Sequence, residues 1–462
     1  MINPSRQFSQ PAIHAIETTE DLLVDRAGLV FFMRFFQASG LLERLAKSFK
    51  GFRSRGNGIS PESLILQLFA FLADGTSRHL KRLDELKKDE GYRSLLGLAS
   101  DEALSSDQVE RFFKKATPAI ISPLRCLLRG MFARRLRIEK PQVIELFLDT
   151  MVMDNDDAHA RQGCQPTYKQ VKGFQPLQLI WNGWVVDAQF RGGKKNGNHG
   201  STAKNMILKT VKVIREELGY QVPIILRMDG GFYDGKLFKS LDINHVGFVC
   251  GGRISTTVKA FAAQSEEWET FTKGKQTWSV LEFGHRCKKW DRWYRAIYLK
   301  PQFENDQRLL CFARPDRVIV TNMGSCSTLW AAVPEENRVV HYETSRIINQ
   351  HHTKGADELT HRAIKCFGFE QLPFKKFAAN TALYYLMVIA YNMLEAFKCD
   401  VLVPLDLSSS RGYATRIRRT VFDVAGKIVR TGRRVILKLT TPTMERLKAL
   451  DLWRLSGVPP SR

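Results

Sequence analysis

The chain has 462 residues, 44% hydrophobic and 25% charged, which is too long for one small core and predicts about two to four folded units. Its 70 Lys and Arg against 47 Asp and Glu leave a net charge of +23, which favours a polyanionic partner, nucleic acid or an anionic membrane, over a neutral or basic one. The eight cysteines are scattered singly, and without a CxxC pair they argue against a zinc ribbon or a disulfide framework and for a reducing, cytoplasmic setting.

The opening MINPSRQFSQPAIH lacks a basic stretch followed by an apolar run, so no signal peptide is expected. Residues 1–140 read as helical. AGLVFFMRFFQASGLLERLAKSF has helical apolar spacing, and Ser60-Pro61-Glu62 offers a cap, a first-turn proline and an early acid. SSDQVERFFKKA starts with capping serines and ends at Thr117-Pro118. The basic helix ends (Lys81, Arg82, Lys87, Lys88, Lys114, Lys115) suit either a DNA-binding bundle or a packing and dimerisation module.

From 141 to 255 the pattern changes to strands around a helix. QVIELFLDTMVM, LQLIWNGWVVDAQF, VPIILRMDGG and HVGFVCGG read as strands; STAKNMILKTVKVIREELG reads as a helix with Ser201 as its cap. That order predicts a mixed α/β sheet. Residues 256–345 hold TWSVLEF, WYRAIYL, RLLCFA and RVIVTN, short aromatic-rich strands expected to form an inserted β subdomain. Helices return over 346–400. FAANTALYYLMVIAYNMLEAF (377–397) carries Asn380, Thr381, Asn392 and Glu395, so a buried core helix is expected and no membrane partner. Residues 401–462 are mixed and basic.

Asp149 sits inside the apolar run IELFLDTMVM, and Asp229 directly follows IILRM, with two glycines behind it. Acids at the ends of adjacent parallel strands converge at one sheet edge, where open α/β sheets build their sites. Taken alone, Asp229 reads equally as a solvated strand end. Close carboxylates need a counterion, commonly Mg²⁺, and two such ions can support phosphoryl transfer. The DNDD run at 154–157 lacks calcium-loop spacing and reads as a polar turn.

The stretch HHTKGADELTHRAIK (351–365) invites a zinc reading. Placed on one helix at about 100° per residue, its histidines diverge, whereas His351, Lys354, Glu358 and Lys365 share a face about 60° wide. Zinc is therefore a poor fit. That face offers either a metal-binding acid among phosphate-binding cations or an exposed helix laced with charge pairs.

Asp149, Asp229 and Glu358 in this order resemble the DDE triad of RNase H-like transposases. About 80 residues separate the first two, and about 130 the last two, enough for a β-rich insertion. His351-x₂-Lys354-x₃-Glu358-x₆-Lys365 keeps the spacing of a Y-x₂-R-x₃-E-x₆-K signature, with His for Tyr and Lys for Arg. Lysine lacks the bidentate fork of arginine, which weakens positioning of a transposon end. With YKQVKGFQPL, FRGGKKNGNHG, LRMDGGFYDG and FAANTALYYLMVIAYNML, the chain is similar to the insertion sequence 1380 family of bacterial transposases from about 30 to 440.

The resemblance implies an RNase H-like mixed sheet interrupted by a β-rich insertion, with an N-terminal helical domain. The expected boundaries are 1–140, 141–255, 256–345, 346–400 and 401–462. It implies that Asp149, Asp229 and Glu358 bind two Mg²⁺ (or Mn²⁺) ions and cut double-stranded DNA at the element's ends. The freed 3′-hydroxyl would then attack the opposite strand, through a hairpin, and later the target; synapsis of two ends implies a homodimer. Expected DNA contacts are His351, Lys354 and Lys365, the loop residues Arg191, Lys194 and Lys195, and Arg416, Arg418, Arg419, Arg433 and Arg434 in the basic tail. A solvated basic face is the plain alternative for the tail. A DNA-binding protein without catalysis, or a metal-dependent nuclease without strand transfer, are the rival functions.

Overall fold

A computed structural model describes residues 15–52, 59–157, 160–195, 197–198, 200–302, 316–324 and 327–458, excluding the side chains of 354–357. The expected strand RLLCFA lies outside the described residues.

Helix α1 (Leu29–Ala38) is apolar nearly all round and buries Phe31, Phe32, Phe35 and Phe36, while α2 (Leu41–Ser48) buries one stripe. Helix α3 (Pro61–Asp74) begins at Ser60, whose side chain accepts from the Ser63 amide at 3.1 Å, and stops at Gly75 in the left-handed region. Helix α4 (Ser106–Lys114) opens with a reciprocal box between Ser105 and Gln108. Then come α5 (Ile121–Glu139), α6 (Thr202–Leu218) and α7 (Gly235–Ile243). Ser201 precedes α6 but makes no capping bond, because its backbone is not in the extended conformation a cap requires. Helices α8 (Thr344–His352), α9 (Lys354–Phe367) and α10 (Phe377–Phe397) complete the set used below.

Nine strands form one sheet: β1 (Ile144–Thr150), β2 (Leu177–Trp181), β3 (Trp184–Gln189), β4 (Ile224–Met228), β5 (Gly247–Gly251), β6 (Glu269–Lys273), β7 (Gln276–His285), β8 (Tyr294–Gln302) and β9 (Arg317–Thr321). Their spatial order is β6-β7-β8-β9-β5-β4-β1-β2-β3. The central β5, β4 and β1 run parallel, and every other neighbour is antiparallel. The strands from the 256–345 stretch thus make no separate sheet: β9 pairs with β5 and carries the rest outward as an antiparallel wing.

Helix α10, with the turn that follows it to residue 402, is long and apolar enough to cross a bilayer, yet it is almost wholly buried inside the protein. Its polar residues explain why. Asn392 bonds both the amide and the carbonyl of Val185 on the edge strand β3, and the Tyr385 hydroxyl donates to the Ala188 carbonyl at 2.9 Å. Tyr384 meets Gln178 of β2 at 2.7 Å. These bonds satisfy the polar groups of a strand edge that would otherwise be buried without partners. The tail returns to the N-terminal helices, where its hairpin β10 (Gly426–Thr431) and β11 (Arg434–Lys438) pairs with Leu23–Val24.

Candidate active site

Strands β1 and β4 pair in parallel register up to Leu148 opposite Met228, so the next residues along each strand are Asp149 and Asp229. Parallel neighbours lie about 4.8 Å apart, which sets these two acids side by side at the carboxyl end of the sheet. The Thr150 amide donates to Asp149 Oδ1 at 2.7 Å, and the Gly231 amide donates to Asp229 Oδ1 at 2.9 Å.

Glu358 comes from α9, across a break. The single helix expected over 351–365 is two helices that part at Thr353, so the helical wheel holds only from Lys354 onward. The break is tied to the sheet. Arg227 of β4, two residues before Asp229, donates to the Thr353 hydroxyl at 2.7 Å, and the same hydroxyl donates to the Gln350 carbonyl. Arg346 and Gln350 of α8 both donate to Glu145 of β1 at 3.1 Å. The helix bearing Glu358 is thus oriented from the two strands that bear the aspartates.

A cavity of about 870 Å³ opens here, lined by Asp229, Glu358, His351 and His352. The wing supplies its far wall, including Lys273, Arg317 and Trp278, whose ring lies 5.0 Å from that of His352. Burial first, then Arg317 and Lys273, push the His352 imidazole down to about 4.

Asp149 approaches from the other side. His361 Nδ1 is 3.9 Å from its Oδ2, with both side chains only 12–13% exposed. Burial, helped by Lys365 and Lys169, pushes His361 down to about 4 and keeps it neutral. The histidines divide, with His351 and His352 on the cavity of Asp229 and Glu358 and His361 beside Asp149. His361 follows Glu358 by three residues, one helical turn, and that spacing was the available signal.

Tyr168 lies within the field of the three carboxylates. It sits in the tight turn after Gln165–Pro166, where Gly173 passes so close to Met153 that a Cβ would lie 2.1 Å from the Met153 carbonyl oxygen. Its phenol is raised by burial first and then by the charges of Asp149, Asp229 and Glu358, although the residue is 63% exposed. One hydroxyl thus feels all three acids. Among the described residues, however, no three His, Cys, Asp or Glu side chains stand close enough to form a ready metal cage.

The expected DNA contacts divide. Lys194, Lys195, Arg416, Arg419, Arg433 and Arg434 are exposed. Arg191 is not: it is 5% exposed, donates to the Gln175 and Gly197 carbonyls, and is pushed down to about 10 by burial, so it braces its loop. Arg418 is 7% exposed and donates to the carbonyls of Leu72 and Ala73 at the end of α3 and of Cys366 and Phe367 at the end of α9. Those unpaired helix-terminal carbonyls explain why an arginine lies inside. Lys365 is ion-paired with Glu370. The Lys354 side chain lies outside the described residues.

The family described as Transposase DDE domain group 1 matches residues 9–451. No curated protein matches the chain significantly. Among solved structures, the chain is similar to one in the cryo-EM structure of a piggyBac transposase synaptic complex with hairpin DNA. The identity is 13% over 86% of this chain and 80% of that one, with a TM-score of 0.42, too low to carry further weight.

Proposed function

This chain belongs to the family of transposases with a group 1 DDE domain, and from that premise we propose a cut-and-paste transposase of the insertion sequence 1380 kind, with Asp149, Asp229 and Glu358 as its triad. The observation that carries the assignment is the parallel register of β1 and β4, which sets Asp149 beside Asp229 at the carboxyl end of the sheet, with Glu358 lining the same cavity as Asp229. Three parallel strands flanked by an antiparallel pair support an RNase H-like core, with β6 to β9 as the wing inserted before α8.

Three carboxylates are hard oxygen donors and suit Mg²⁺ or Mn²⁺ in kind. Asp149, Asp229 and Glu358 would hold two such ions, which lower the pKa of bound water and stabilise charge on phosphoryl oxygens. The protein's own part is orientation. Backbone amides fix the aspartate carboxylates, and Arg227 with Thr353 fixes the approach of α9. Neutral His361 lines Asp149 without adding a competing charge.

The cavity suits a DNA strand: Lys273 and Arg317 offer cations to phosphates, and Trp278 offers a stacking face. Lys194, Lys195, Arg416, Arg419, Arg433 and Arg434 would track the backbone farther out, and His351 and Lys354 would act beside Glu358. Pairing of two transposon ends calls for a homodimer. A test is to incubate the purified chain with Mg²⁺ and end-bearing DNA beside Asp229→Asn. The proposal expects cleavage and joining by the wild type alone. Cutting without joining would leave a nuclease, and equal activity in the variant would remove the triad.

A further inference from the structure

Glu358, His361 and Ile364 follow one another at three-residue steps and so share one side of α9. Ile364 is fully buried in the core, while Glu358 lines the cavity. His361 stands between them, its side chain 12% exposed and facing Asp149 of β1. Asp149 Oδ1 accepts from the Thr150 amide, and Oδ2 is the oxygen turned to the imidazole.

The approach is too long for a hydrogen bond. Nδ1 stops 3.9 Å from Oδ2, and Nε2 is buried with no hydrogen-bond partner among the described residues. An enclosed imidazole with neither nitrogen hydrogen-bonded is costly. With the ring proton on Nε2, the Nδ1 lone pair and a carboxylate oxygen confront each other, an arrangement that a cation between them relieves. Two donors about 2.1 Å from one shared ion stand roughly 3–4 Å apart, so the gap is the size an ion needs. Among the described residues, no third His, Cys, Asp or Glu stands close enough to complete a cage before an ion arrives. Lys365, one turn further along α9, is paired with Glu370, which lessens the positive charge facing an ion there.

We propose that His361 is a nitrogen ligand to the ion held by Asp149. It rests on the reading of Asp149, Asp229 and Glu358 as a metal-binding triad. An imidazole among carboxylates favours Mn²⁺ over Mg²⁺, because the harder ion prefers oxygen.

The test loads the full chain with Mn²⁺, without DNA, and uses pulsed electron paramagnetic resonance, which reads a nitrogen bonded to the ion. The wild type should show imidazole nitrogen coupling. His361→Gln should lose it, and His352→Gln, on the cavity of Asp229 and Glu358, should keep it. In titrations His361→Gln should weaken Mn²⁺ binding about tenfold or more, and Mg²⁺ binding less. A thermal melt checks that the variant is folded, and His361→Asn replaces it if it is not. If Mn²⁺ supports cleavage by the wild type but shows no nitrogen coupling, or if the coupling survives in His361→Gln, the ligand assignment is overturned and the triad stands. If Asp149→Asn, Asp229→Asn and Glu358→Gln bind Mn²⁺ and cleave like the wild type, the triad falls and the ligand with it.

Discussion

Asp149 and Asp187 show what a single residue's sequence context can and cannot say. Both are acids inside apolar strands, but Asp187 is fully buried and held by Arg125 at 2.8–2.9 Å and Arg129 at 3.0 Å, a structural ion group outside the cleft. Breaking such a group leaves buried charge uncompensated, so Asp187→Asn should lower unfolding stability by about 3–5 kcal/mol in urea titrations. Only the partners distinguish the two acids, and partners more than fifty residues away are not visible in a strand pattern. The same holds for Arg191 and Arg418: as letters they are cations in basic runs, and in the fold they are braces. His352 gives a pH prediction. Its folded pKa, about 4, lies below the free value near 6.5, so the unfolded chain takes up the proton first. Its contribution to stability is complete above about pH 6.5 and is lost as pH falls toward 4. His352→Gln should make the fall in stability over that window shallower, by up to about 1.4 kcal/mol per pH unit, in urea melts at stepped pH.

At the scale of elements, local chemistry was readable where the signal is local. The caps at Ser60 and Ser105, the strand of Asp149 and the buried helix 377–397 all follow from short patterns. The break at Thr353 was not, because it depends on Arg227 reaching from β4 to the helix junction. Arg227→Ala should loosen the orientation of α9, reducing the cleavage rate about tenfold or more while leaving DNA affinity unchanged, as read by single-turnover kinetics beside binding titrations. Arg418 joins two helix ends with four donated bonds, and Gly75 keeps space for it, since a Cβ there would lie 2.1 Å from the guanidinium carbon. Arg418→Lys keeps the charge but cannot reach all four carbonyls. It should cost on the order of 2–4 kcal/mol in thermal or urea unfolding, at about 1–3 kcal/mol for each carbonyl left unsatisfied.

For the whole molecule, the sheet joins what the sequence separates. Aspartates about 80 residues apart become neighbours through parallel pairing, and the wing strands reach back over the cleft from the opposite edge. The wing was legible as strands but not as a continuation of the central sheet, because pairing between β9 and β5 spans a connection whose length alone fixes no partner. The net charge of +23 fits the same picture, with exposed cations such as Lys194, Arg416 and Arg433 available to a polyanion. The most direct measurement is cleavage and joining of end-bearing DNA in Mg²⁺ by the wild type and by Asp149→Asn, Asp229→Asn and Glu358→Gln, each checked for intact folding and DNA binding. The triad predicts that every variant binds DNA but cleaves it slower by on the order of 10²–10³-fold or more, several kcal/mol of lost transition-state stabilisation. Wild-type cleavage by any one of the three would contradict it.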